Sequence, residues 1–181
     1  MANTYKLIAS TTVGSGGSAS VTFSSIPQTF TDLKILMTAR LTGNGDSFGN
    51  TKISFNGSPT GTDYSLKLVR GDGNTSGGNS YTSQDSIPNN YSTVGSTATA
   101  NTFSNSEIYI PNYTSSDPKS VIADNVGENN STTEARMTLA AGLWNPGTQA
   151  AISSITLTSN YTSSETYAQY STFYLYGIKN S

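Results

Sequence analysis

The chain has no histidine and no cysteine, and only 11% of its 181 residues are charged. Without histidine no Ser-His-Asp arrangement is available, and no Gly-x-Ser-x-Gly elbow occurs. Without cysteine there is no thiolate nucleophile, soft metal ligand or disulfide. A chain of this length buries roughly two-thirds of its unfolded surface and needs no covalent staple, so the missing cysteine does not fix the compartment. The 9 basic residues fall singly along the sequence, with a net charge of −2. No basic stripe for tracking phosphates emerges, and no nucleic-acid partner is expected. The start, Met1 to Lys6, lacks the basic and apolar regions of a signal peptide, and no apolar run approaches 18 residues. The expectation is a soluble protein made inside the cell, with no membrane partner.

What fills the space is small and polar: 29 Ser, 27 Thr, 17 Asn and 17 Gly, about half the chain. The apolar remainder is patterned with period 2, as half-buried strands are. Leu33, Ile35, Met37, Ala39 and Leu41 alternate with Lys34, Leu36, Thr38 and Arg40, and Tyr64, Leu66 and Leu68 with Ser65 and Lys67. Val21 and Phe23, Ile53 and Phe55, Ile108 and Ile110, and Ile155 and Leu157 are shorter versions. Residues 132–143 suit a helix by propensity, but Ala135, Met137, Leu139, Ala141 and Leu143 alternate as one face of a strand. Turn signals lie between the runs: Gly14–Gly17 as the loop of an opening hairpin, Gly43–Asp46, Asn56–Pro59 and Asn145–Gly147. The pattern predicts a single all-β domain over residues 1–181, an antiparallel β-sandwich, jelly-roll-like, of about ten strands. A long polar loop is expected around 71–101, either solvated or ordered only against a neighbouring subunit. In the last run Tyr170, Tyr174, Tyr176 and Ile178 face one way and Phe173 and Leu175 the other. Such a strand is central in a sheet or covered from outside.

Chemistry is sparse. A glycosidase-type carboxylate pair remains open, from Asp72, Asp85, Glu107, Asp117, Asp124, Glu128, Glu134 and Glu165, but no spacing marks one. Asp124–Asn130 and Asp72–Asn74 offer hard oxygen ligands on turns, without the twelve-residue calcium loop. Arg70-Gly71-Asp72 is read as a turn rather than an adhesion triplet. The Asn-x-Ser/Thr sequons at Asn56, Asn74, Asn90, Asn112, Asn129, Asn130 and Asn160 follow from composition. Trp144 is read as a plug at the end of the core. No catalytic, cofactor-binding or metal-binding residue is assigned, no cofactor is expected, and the chain is read as a non-enzyme.

Several runs together carry a resemblance: Tyr5–Ile8 leading to Val13–Gly17, then Ser25-Ile26-Pro27 with Phe30–Leu33. Phe55–Gly57, Ile108–Tyr113, Ala151–Leu157 and the ending Tyr174–Ser181 follow in order. The chain resembles small β-rich virion proteins of tailed bacteriophages. The resemblance implies a phage structural protein located on the virion, made in the host cytoplasm and exposed on the particle. It does not say which component; the single compact domain without an internal repeat favours a capsid decoration (cement) protein, a homotrimer bound to the major capsid protein, over the longer fibre proteins. The alternative it leaves is a tail-fibre or receptor-binding module that recognises host glycans.

Overall fold

The computed structural model describes residues 4–43, 45–57, 61–88, 92–130, 134–159 and 165–179. Turn expectations at Asn44, Ser58 and Pro59, and the sequon residues Asn90 and Asn160, lie outside the described residues. The first eight strands are β1 (Tyr5–Thr12), β2 (Ser20–Phe23), β3 (Asp32–Ala39), β4 (Leu41–Thr42), β5 (Phe48–Gly49), β6 (Thr51–Phe55), β7 (Tyr64–Gly71) and β8 (Ser76–Gln84). The second eight are β9 (Ile87–Pro88), β10 (Thr93–Val94), β11 (Ser104–Ile110), β12 (Lys119–Glu128), β13 (Ala135–Trp144), β14 (Ile155–Ser159), β15 (Thr166–Tyr167) and β16 (Thr172–Ile178). No helix occurs among the described residues, so none is long and apolar enough to cross a membrane.

The strands form a sandwich. One layer is an eight-stranded antiparallel sheet ordered β1-β16-β3-β11-β12-β13-β7-β8, and the other is β2-β14-β6-β9. The core lies between them because the period-2 faces point inward. Leu33, Ile35, Met37 and Ala39 of β3, and Phe173 and Leu175 of β16, meet Phe23 of β2, Ile155 and Leu157 of β14 and Ile53 of β6. All are buried, each contributing about 1.5–3 kcal/mol for a large side chain. Trp144 closes one end, edge-on to Phe55 at 5.5 Å and stacked on Tyr64 at 6.4 Å. It is the core plug that its position suggested.

The all-β sandwich is the one the period-2 pattern implies. Sixteen strands replace about ten because five of them are two residues long and carry no readable pattern. Two local expectations about the chain's ends are corrected. Gly14–Gly17 is not a hairpin loop: β1 pairs with β16 and β2 with β14, so this segment carries the chain from one layer to the other. The Val13 N–H donates to Ser171 and the Ser18 N–H to Tyr167, which anchors the crossing at both ends. Tyr170 is not part of the last strand's face; it sits in a turn at φ 71°, ahead of β16.

The long polar loop at 71–101 is mostly structured. Its first part is β8, hydrogen-bonded along β7 at the edge of the large sheet. Seven of its nine residues are exposed, so it buries almost nothing and leaves no hydrophobic signature. The connecting turn is closed by the Asp72 carboxylate, which accepts from the N–H groups of Asn74 and Thr75 and from the Thr75 hydroxyl. Further on, β9 pairs with β6 and β10 with β5. Residues 96–102 wrap around Arg40, whose guanidinium donates to the carbonyls of Ser96, Ala98, Thr99 and Thr102.

Candidate functional site

The feature that sequence patterning left undetermined is the orientation of β13. Met137, Leu139, Ala141 and Leu143 point out, while Thr138, Ala140, Gly142 and Trp144 point into the core. Alternation defines two faces of a strand; it does not say which one meets the other layer. Here the gap between the layers decides. A Cβ on Gly142 would lie 2.6 Å from Ile87 Cδ1, so the Ile87 side chain of β9 already fills the space that a side chain here would need. On the neighbouring β12, a Cβ on Gly127 would lie 2.6 Å from the Ser92 carbonyl oxygen. Ala123 and Ala140 face each other across the ladder between these two glycines. This row of small residues lets the layers approach and leaves Met137, Leu139 and Leu143 no place inside, while Trp144 fits beyond it at the end of the core.

The result is an apolar outer surface. Val69 and Met137 are 60% exposed and Leu139 52%, with Ile122, Val126 and Leu143 between 38% and 49%. The ladder registers place them together. Val69, Leu139 and Asp124 form one outward row, and Lys67, Ala141 and Ile122 the next. Met137 and Val126 flank the first row. A shallow, almost wholly apolar depression lies over Val69, Leu139, Ala141 and Ile122.

The other half of the same face is polar and aromatic. Glu107 and Asp124 are direct partners across β11 and β12, the one carboxylate pair from the sequence that those strands bring together. Glu128 lies four residues further along β12, about 13 Å away. Lys34 bridges Glu107 at 2.6 Å. Tyr174 and Tyr176 of β16 stack at 6.4 Å, ring to ring. Glu107, Asp124, Tyr174 and Tyr176, with Leu36, Thr38, Asn105 and Val126, line an open depression of about 420 Å³. The last strand is therefore internal to the sheet, paired with β1 and β3, and its tyrosine face looks outward.

The remaining candidates are dispersed. Asp85 pairs with Lys52 at 3.5 Å, and Ser86 donates to it; the Ser86 bond and Lys52 hold its carboxyl below the usual range. Asp72 is tied into the β7–β8 turn, chiefly by the Thr75 N–H, which holds its carboxyl low, so Arg70-Gly71-Asp72 ends a strand and opens a turn. Asp117 offers its backbone carbonyl, not its carboxylate, to Lys119. Lys119 is fully buried, also donates to the Ser115 carbonyl at 2.7 Å, and lies over Trp144; burial lowers its pKa. Glu134 is half-buried beside β13, and Glu165 is buried ahead of β15. The segment Asp124–Asn130 is not a turn but mostly strand β12, with Asp124 and Glu128 outward and Asn125 and Asn129 inward. An alternating strand cannot wrap an ion, and among the described residues no three acidic groups gather for a metal.

No protein-family model matches the chain, and no curated protein matches it. Among solved structures it is similar to the Ca²⁺-bound exoplasmic/lumenal domain of VIP36, at 11% identity over 84% of this chain and 90% of that one. The TM-score is 0.22, too low to argue from.

Proposed function

We propose that this chain is a non-enzymatic structural component of a phage particle, a capsid decoration protein that binds the assembled head. The observation that carries the reading is the outer face of the eight-stranded sheet, where six large apolar side chains stand in one patch. Contiguous exposed apolar surface of this kind marks interaction sites. In this reading the chain forms a homotrimer, docks on the major capsid protein and is exposed on the particle. Binding the assembled shell in preference to free subunits stabilises it by mass action. The test is the copy number in purified particles, by quantitative mass spectrometry against the major capsid protein. A ratio typical of a shell component supports decoration. A handful of copies, or none, overturns it.

A second reading rests on the tyrosine-lined depression. Rings of Tyr174 and Tyr176 beside the Glu107 and Asp124 carboxylates suit a sugar, whose apolar face stacks while its hydroxyls donate. This would fit a receptor-binding module for host glycans. A glycan array probed with wild type and Tyr174→Ala decides it: signal lost in the variant favours this reading, and no signal from wild type removes it.

A further inference from the structure

The six apolar side chains are half-exposed, yet they sit on a rigid sheet whose registers fix their spacing. Charge is placed around them in a particular way. Lys67 on β7 and Asp124 on β12 stand at diagonal corners of the two central rows, with Leu139 and Ala141 between them. Neither makes an ion pair among the described residues, whereas Lys34 and Glu107 on the same face satisfy each other. The other two corners, Val69 and Ile122, are apolar.

We propose that the occupant of this patch is the same patch on a second copy of the chain, related by a two-fold axis lying in the plane of the face. This deepens the assembly reading above and rests on it for the use of the face, but its test needs no capsid. A two-fold axis through the middle of the patch, close to the Val69–Ile122 diagonal, exchanges the corners. Each Lys67 then lies over the partner copy's Asp124 position, and each apolar centre lies over the other.

On a lattice of about 4.8 Å between strands and about 6.7 Å between outward positions, such an axis crosses the strands of the two copies at about 70°. That is nearer the orthogonal than the aligned mode of sheet packing. The patch itself covers three strands, β7, β13 and β12, about 14 Å; with β8 and β11 the face spans about 24 Å, and a square of that side has a footprint on the order of 600 Å². Specific interfaces begin at roughly 500 Å² per partner, so the apolar centre reaches that size together with the polar rim that β8 and β11 supply. Homomeric interfaces are also the more apolar kind, which fits the six side chains here. A heterologous partner would have to supply a charge pair matching this diagonal; a second copy supplies it by symmetry.

The contact builds even-numbered assemblies: dimers of free chains, or hexamers if trimers pair through it. The experiment is sedimentation velocity on purified protein over a wide concentration range, with Lys67→Glu, Asp124→Lys, the two combined, and Leu139→Asp. Wild type should run at an even multiple of the chain mass. Each single charge reversal places two like-charge contacts in the interface and should weaken association roughly tenfold or more. The combined variant should recover it, since the corners are again complementary. Leu139→Asp should leave only half-mass species. All three positions are on the outer face of the sheet, so circular dichroism should show folded protein for all four variants. A wild type that is monomeric or only trimeric at every concentration overturns the proposal. So does a combined variant no tighter than the single ones.

Discussion

The orientation of β13 can be tested with two neighbouring substitutions whose expected effects reverse intuition. Leu139→Ala removes three carbons from a residue that resembles a core leucine in sequence but is 52% exposed. In a core the change would cost about 2–5 kcal/mol through lost burial and a cavity. Half-exposed on the outer face, it leaves no cavity and should cost under about 1 kcal/mol. Gly142→Ala adds a single carbon, 2.6 Å from Ile87 Cδ1 and 3.2 Å from its Cγ1 and Cγ2. Three ångström-scale conflicts with one side chain force Ile87 off its rotamer or β9 outward. Overpacking of this kind costs about 1–3 kcal/mol. In a domain of this size that lowers Tm by roughly 3–10 °C, against roughly 3 °C or less for Leu139→Ala. Urea unfolding at several protein concentrations separates the fold's own stability from any association, which adds a concentration-dependent term. A leucine variant that loses more stability than the glycine variant, at all concentrations, would refute the assigned facing of the strand.

The rest follow from single contacts. Gly177→Ala should be among the most damaging small substitutions, losing about 3 kcal/mol or more in chemical denaturation, because its Cβ would fall 2.3 Å from the Phe30 ring. Arg40→Ala leaves the carbonyls of residues 96–102 without their shared donor; a loss of about 3 kcal/mol and faster amide exchange confined to that segment are expected. Ser106 Oγ and the Asn125 side-chain amide are buried opposite each other without a partner, so combining Ser106→Ala with Asn125→Leu should be neutral or raise stability by about 1 kcal/mol. Stability should also fall at high pH. Burial pushes the Tyr64 hydroxyl up to about 12, so the folded chain holds this proton more tightly than the unfolded chain, whose tyrosine titrates near 10. The unfolded state releases it first, and stability drops between about pH 10 and 12, by about 3 kcal/mol from this group. In Tyr64→Phe that part of the alkaline decline should disappear from the pH dependence of the urea midpoint.

The residues by themselves determined that the chain is a β-sandwich, because alternation of Leu33, Ile35, Met37 and Ala39, or of Ile155 and Leu157, has no other economical burial. They also placed Trp144 at a core end and Asp72 in a turn. What they left open were matters of pairing and distance. The Gly14–Gly17 segment looks like a hairpin loop locally, and only the partners of β1 and β2, both far along the chain, show that it changes layers. β8 was unreadable because its exposed Ser, Gly and Asn residues are ordered by a backbone ladder, which side-chain pattern does not record. The face of β13 was undetermined because both of its sides carry apolar residues. The deciding fact is how closely β9 approaches Gly142, a separation between layers that no local pattern encodes. That same separation turns Leu139 and its neighbours outward, so the candidate interaction surface is a product of tertiary packing rather than of any motif.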